Sequence, residues 1–178
     1  MLKDLVLKNR SYRRFYQDEP LPRHQLEALI ELARLSPSAA NRQPLKYIIS
    51  NTPELNAIIF DCLSWAGYLH DWPGPQEGER PSAYIIILND TVIGPSGCDH
   101  GIAAQNIMLG AVEQGWGGCI IGSVKSEQLA TALALPAQFK ILLVLALGKP
   151  KETVVVEPVD SSGNIEYWRD ADNIHHVP

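Results

Sequence analysis

Three arginines crowd one serine in the stretch NRSYRRF, residues 9–15, although the chain carries only 15 Lys and Arg against 20 Asp and Glu. Arg10 and Arg13 stand three apart, so one helical turn would bring both to the same side with the Ser11 hydroxyl and backbone N–H between them. Guanidinium forks bind phosphate through paired hydrogen bonds, and a small donor completes such a cradle. The competing explanation is a solvated charged face, with the arginines paired to the nearby Asp18 and Glu19. A second polar set lies in SPSAANRQP, residues 36–44. There Asn41 and Gln43 carry amides that both donate and accept, which suits the alternating edge of a heterocycle such as a flavin or a nucleobase. Ordinary turn chemistry explains the same residues, because Ser, Asn and Pro fill loops everywhere.

The whole chain narrows what these groups can serve. Its 178 residues match one domain, and 46% hydrophobic with 20% charged residues is an ordinary globular composition. A net charge of -5 argues against nucleic acid or an anionic membrane as partner, since either favours a broad basic face. Cys62, Cys98 and Cys119 cannot all pair within one chain and are expected to be reduced and buried. The polar start MLKDLVLKNR lacks a signal-peptide core, and no apolar run is long enough to span a bilayer, so a cytoplasmic location is expected. Cys98-Asp99-His100 is no metal motif, because adjacent residues rarely turn toward one ion; Asp99 is better placed as a helix N-cap. His175 and His176 are expected to be exposed, no His and carboxylate stand ready to activate Ser11, and no G-x-G-x-x-G follows a strand.

The elements that must position these groups follow from periodicity. Leu2, Leu5 and Val6 predict a short helix over residues 2–8 that delivers the Arg cluster at its end. A second helix begins with Pro22 in its first turn, carries Leu26, Leu29, Ile30 and Ala33 as an apolar stripe, and stops at Ser36-Pro37. A strand from Lys46 to Ser50 and a helix over 53–69 follow. Residues 71–81 are too rich in Pro and Gly to be regular, and lead into an apolar strand from Tyr84 to Leu88. Asp99 to Gln114 reads as a helix with Gly101, Ala103, Ala104, Gly110 and Ala111, small enough for other helices to approach closely. GGCIIGS at 117–123 is a short strand or extended turn, a helix lies near 126–134, and the continuous apolar run 141–148 is a strand buried on both faces. Residues 1–150 then form the domain, and 151–178 an arm that is expected to lie on a partner subunit.

Together the two polar stretches resemble the flavin-dependent nitroreductase family. The likeness rests on Arg10, Ser11, Arg13 and Phe15, on Pro37, Ser38, Asn41, Gln43 and Pro44, and on the order in which the small-residue helix, GGCIIGS and the final LGKP follow them. The resemblance implies an α+β fold, a three-layer α/β/α sandwich around a mixed, mainly antiparallel sheet, in a homodimer with exchanged C-terminal arms and two FMN molecules at the interface. It places Arg10 and Ser11 on the phosphate and ribityl end and Arg13 toward the pyrimidine side of the ring. Pro37, Ser38 and Ala39 would lie along the cofactor from the other subunit, Asn41 and Gln43 would add polar contacts, and Ile121 and Gly122 would bring backbone N–H groups to the N5 edge.

The implied reaction is a two-step reduction: NADH or NADPH passes a hydride to the flavin and leaves, and a nitroaromatic, quinone or similar small-molecule acceptor takes its place. A cationic Arg beside the ring favours the anionic reduced flavin, so no catalytic carboxylate or histidine is required. Trp65, Tyr68 and Trp72 are the candidates for stacking on such a substrate, against the alternative that they pack in a core. A related flavin reaction, such as dehalogenation, enone reduction or oxidation by O₂, or a non-catalytic flavin-binding module, would use the same fold. Two departures from the family pattern stand out: Asn9 occupies a place where another Arg is common, and the chain ends in HHVP at Pro178 without the Lys or Arg that usually reaches the phosphate. Another group then has to replace that contact, or the chain is truncated.

Overall fold

A computed structural model describes residues 1–178. The order of elements is α1 (Leu2–Lys8), β1 (Phe15–Tyr16), α2 (Arg23–Arg34), a 3₁₀ turn (Ala39–Asn41), β2 (Leu45–Ser50), α3 (Pro53–Phe60), β3 (Ala83–Asp90), α4 (Asp99–Glu113), β4 (Gly117–Ile121), α5 (Ser126–Ala132) and β5 (Phe139–Pro150). The tail adds β6 (Val154–Val156), β7 (Trp168–Arg169) and β8 (His175–Val177). The main sheet runs β1-β5-β3-β2 with β4 also on β5, and each of these pairings is antiparallel. The tail forms a small sheet of its own, with β8 parallel to β6 and antiparallel to β7.

Every residue of β3 is buried, because helices cover both faces of the sheet. Alternation along the strand divides it between two cores. Ala83, Ile85 and Ile87 pack with Leu26 and Leu29 of α2 and Ala104, Ile107 and Ala111 of α4. Tyr84, Ile86 and Leu88 pack with Ile59 of α3 and Leu129 of α5. Two helical layers thus enclose one sheet, as the resemblance implies.

β5 needs one more device to serve both cores. Opposite Ile87 and Leu88 the register skips Leu142, so Leu143, Leu145 and Leu147 face α2 and α4 while Ile141 and Phe139 face α3 and α5. One bulged residue inverts the facing of the strand. On the α2 and α4 side the helices meet at Gly110, where an added Cβ would lie 2.2 Å from Leu32 Cδ1. The small residues of α4 therefore do allow a close helix approach.

Three expectations are corrected. The helix over 53–69 ends at Phe60, although Leu55, Ile58, Ile59 and Leu63 have helical spacing; Ile58 is exposed, and Leu63 leaves the helix to bridge Val124 while the Cys62 carbonyl accepts from the Lys125 N–H at 2.8 Å. Cys98 is exposed rather than buried, because it precedes α4 in a turn, whereas Cys62 and Cys119 do lie in the core. His175 is buried at 1% exposure, because the tail folds back across Arg13.

Candidate functional site

The Arg cluster sits on a connection from α1 to β1 that is held from several sides. Tyr12 N–H donates to Gly118 O of β4 at 2.9 Å, and Ser11 makes an isolated parallel bridge to the same glycine. None of the three arginines pairs with Asp18 or Glu19; Arg10 turns back onto the backbone just before it, while Arg13 and Arg14 find side-chain partners in distant parts of the chain. Arg14 donates twice to Glu79, at 2.7 and 2.6 Å, and Lys151 reaches the same carboxylate at 3.1 Å. The buried Glu152 accepts from the backbone N–H of Arg13 and of Arg14 with one oxygen and from Arg169 with the other, at 2.8 Å.

These contacts shape a pocket of about 290 Å³ that contains Arg10, Ser11 and Arg13 together with Asn9, Gln105 and Met108 of α4, Gly118 and Ile120 of β4, and Tyr167, His175 and Val177 of the tail. Arg10 donates from Nε to Asn9 O at 2.7 Å and from Nη2 to Val6 O at 2.9 Å, which fixes the guanidinium and leaves Nη1 free. Ser11 is exposed. Arg13 is spent differently: Nη1 lies 3.2 Å from Ser11 O and 3.0 Å from His175 Nε2, and its guanidinium rests over the Tyr167 ring at 4.7 Å. Burial and the charges of Arg13 and Arg169 push His175 down to about 4, so its ring is neutral at pH 7 and can accept from Arg13.

The second motif is organised by one buried carboxylate. Asp99 opens α4 inside its first turn rather than as the N-cap, and accepts from Ser38 Oγ at 2.6 Å and from the Ala39 N–H at 3.1 Å. Ser38 Oγ in turn accepts from the Gln43 N–H at 2.9 Å, so the loop closes on itself. The turn requires positive φ at Ala40, Asn41 and Gln43. Asn41 and Gln43 are exposed, with Gln43 Nε2 donating to Asn41 Oδ1 at 2.8 Å. Pro37, Ser38 and Gln43 line a separate pocket of about 310 Å³ with Asp99 and Ala103. Within one chain the two motifs thus do not share a pocket. They are joined through α4, whose Asp99 and Gln105 serve one each and lie about 9 Å apart along the helix.

Ile121 points its side chain into the α3 and α5 core, while the next residue, Gly122, is exposed at the end of β4. The aromatic candidates divide. Trp65 packs against Phe60, with ring centroids 5.9 Å apart, and closes over Gly74. Tyr68 and Trp72 instead line a larger cavity beside the tail.

Sequence reasoning missed Gln105, Glu152, Tyr167 and His175. Gln105 had a visible signal, since Gln105-Asn106 interrupts the run of small and apolar residues from Gly101 to Val112. Glu152 and His175 had none, because their partners are chosen by the path of the tail.

The Glu79 cluster has a measurable consequence. Hydrogen bonds from Arg14, supported by Lys151, bring its carboxyl from an ordinary 4.5 down to about 2. A folded value below the unfolded one contributes stability above pH 4.5 that is lost as the pH falls toward 2. The unfolding free energy is expected to decline across that window, and less so in Glu79→Gln; an identical acid slope in the variant would remove the assigned role.

The protein-family model described as "Nitroreductase family" matches residues 6–66 and 97–149. The chain belongs to the nitroreductase family. A relative from Archaeoglobus fulgidus, provisionally named an NADH dehydrogenase/NAD(P)H nitroreductase, is 25% identical over 148 residues, 78% of this chain and 80% of that one. The solved nitroreductase family protein of Streptococcus pneumoniae TIGR4 superposes with a TM-score of 0.72 at 20% identity, covering 89% of this chain and 94% of its own. The NADPH:FMN oxidoreductase of Vibrio harveyi, solved in complex with NAD+, gives 0.71 at 22% identity over 90% of this chain and 74% of its own. These likenesses establish the nitroreductase fold. The stretches that match the family include the α1–β1 connection and the α4 and β4 walls of the Arg10 pocket, whereas residues 67–96 and the tail after 149 fall outside them.

Proposed function

We propose that this chain is an FMN-dependent NAD(P)H oxidoreductase of the nitroreductase type, which reduces a nitroaromatic, quinone or similar small electrophile. The observation that carries this reading is the pocket in which Arg10, Ser11, Asn9 and Gln105 converge within the stretches that match the family. Its donor set fits a phosphate. Arg10 keeps two N–H groups on Nη1 unspent, and Ser11 stands exposed beside them. The names of the Vibrio harveyi and Archaeoglobus fulgidus relatives support FMN and NAD(P)H as the redox pair.

In this reading Arg10 and Ser11 hold the phosphate end of FMN, and the buried Arg13 carries a positive charge on the same wall, held in orientation by His175 and Tyr167. FMN, when bound, supplies the two-electron chemistry. The chain supplies binding, charge and exclusion of water, and uses no titrating side chain as acid or base. The Ser38 loop, which the same chain keeps in another pocket, reaches the cofactor from the partner of a homodimer, with Gln43 and Asn41 presenting their exposed amides.

An absorption spectrum after incubation with FMN and gel filtration tests the reading first: retained flavin supports it, and a protein that stays colourless in excess FMN overturns it. Oxidation of NADH or NADPH with an added quinone then tests catalysis. Arg10→Ala removes a charge-assisted contact of about 1.5–3 kcal/mol, so FMN binding is expected to weaken about tenfold to a hundredfold. Unchanged flavin content in that variant would dismiss the role of Arg10.

A further inference from the structure

Two adjacent histidines of β8 are held in opposite protonation states by the groups that face them. Neighbouring residues of a strand point to opposite sides. His175 turns inward at 1% exposure, where its Nε2 meets the Nη1 donor of Arg13 at 3.0 Å and has to offer a lone pair. That ring is therefore neutral. His176 turns the other way and finds a carboxylate at each ring nitrogen, Glu157 at 2.7 Å from Nδ1 and Asp170 at 3.3 Å from Nε2. A carboxylate only accepts, so both contacts are hydrogen bonds only when both nitrogens carry a proton. Loss of either proton leaves a lone pair against an anion.

The three side chains come from the three strands of the tail sheet. Glu157 follows β6, Asp170 follows β7, and His176 is the middle residue of β8. Trp168 of β7 adds a second link, stacked on the His176 ring at 4.1 Å with the planes 7° apart, and an indole face attracts a cation. The backbone pairing beside these contacts is short: β8 pairs with three residues of β6 and two of β7. A segment with so few backbone bonds opens at a low free energy, so one central cation weighs heavily on whether it stays closed.

What β8 covers is the Arg10 pocket. His175 and Val177 form part of its lining, and His175 holds Arg13. The other anchor of the tail, Arg169 on Glu152, does not involve His176 and keeps β7 tethered when β8 lets go.

We propose that His176 is a pH-sensitive clasp, which as an imidazolium keeps β8 closed over the Arg10 pocket and as a neutral ring releases it. The charged groups that face it are Glu157 and Asp170, while the adjacent His175 is neutral in the same range. Hydrogen bonds to Glu157, and then to Asp170, raise its pKa above the ordinary 6.5. A folded value above the unfolded one contributes stability that is complete below pH 6.5 and is lost as the pH rises through the folded value. The clasp is thus shut in mild acid and opens in mild alkali. It acts whatever the pocket binds, so the inference does not rest on the flavin reading.

Amide hydrogen exchange of the full chain tests it, followed residue by residue and expressed as protection factors so that the intrinsic pH dependence of exchange cancels. The reporters are the His175 N–H, bonded to Thr153 O at 2.9 Å, and the Glu157 N–H, bonded to Val177 O at 2.7 Å. Their protection is expected to fall at least about threefold between about pH 6 and about pH 8.5, with the β3 amides unchanged. In His176→Gln the protection of the tail should no longer depend on pH. Constant protection in the wild type across that range, or the wild-type pH dependence persisting in His176→Gln, would overturn the proposal. Should the glutamine variant lose the tail sheet at every pH, Glu157→Gln decides: with one carboxylate removed the midpoint of the fall should move to lower pH, and an unmoved midpoint would equally overturn it. FMN enters none of these measurements, so a colourless protein and a tail indifferent to pH are separate failures.

Discussion

Glu152→Ala is expected to lower the unfolding free energy by about 3–5 kcal/mol, the usual cost of removing one partner from a buried ion pair. The Glu152 side chain is 0% exposed and faces Arg169, whose side chain is only 11% exposed, so the variant leaves a buried cation without its counter-charge. It also orphans the backbone N–H groups of Arg13 and Arg14, which no other acceptor replaces. The damage then extends to the pocket, because Glu152 is the clasp between the Arg cluster and the part of the tail that carries Tyr167 and His175. Urea unfolding of Glu152→Ala and Glu152→Gln checks this, with the amide, which keeps one acceptor oxygen, expected to lose less. A shift of less than about 0.5 kcal/mol for the alanine variant would show that the tail is not anchored there.

Gly118→Ala is expected to cost about 3 kcal/mol, at the upper end of what overpacking a core brings. An added Cβ would lie 2.3 Å from Ala146 O and 2.8 Å from Leu147 Cδ2. The first of these is backbone of β5, the strand that pairs with β1, β3 and β4, so it cannot yield without moving the sheet. Because Gly118 also receives the Tyr12 N–H and bridges Ser11, the strain reaches the phosphate-binding segment, and FMN retention should fall together with stability. Gly122→Ala is the control: its Cβ would meet only Leu143 Cδ2, at 3.9 Å, and its unfolding midpoint should stay at the wild-type value. Equal midpoints for the two variants would refute the steric argument.

The elements that could be read in advance are those whose burial repeats with a local period. Leu26, Leu29 and Ala33 mark α2 at helical spacing, and the unbroken apolar runs of β3 and β5 announce strands covered on both faces. The family motifs were legible for a related reason: Arg10, Ser11 and Arg13 are close in sequence, so no tertiary contact is needed to bring them together.

Where local spacing and tertiary contacts compete, the contacts decide. Apolar spacing carries the α3 pattern on to Leu63, but the chain turns out of the helix after Phe60, because Cys62 and Leu63 gain strand-like partners in Val124 and Lys125. The facing of β5 likewise depends on a bulge opposite Ile87 and Leu88 that no alternation rule signals. Trp65 and Trp72 are equivalent as sequence features, yet one is enclosed by Phe60 and Gly74 and the other lines a cavity under Arg169.

Charge pairing shows the same division. By itself the sequence determined that an arginine cluster, a second polar motif and strands buried on both faces belong to this chain, because each is written in neighbouring residues. Only the tertiary structure decided that Arg14 would face Glu79, that Glu152 would hold Arg169 and the Arg13 backbone, and that His175 would be buried. A charged side chain in a sequence specifies that a partner is needed once it is buried, but which partner it meets is set by how the chain returns through space.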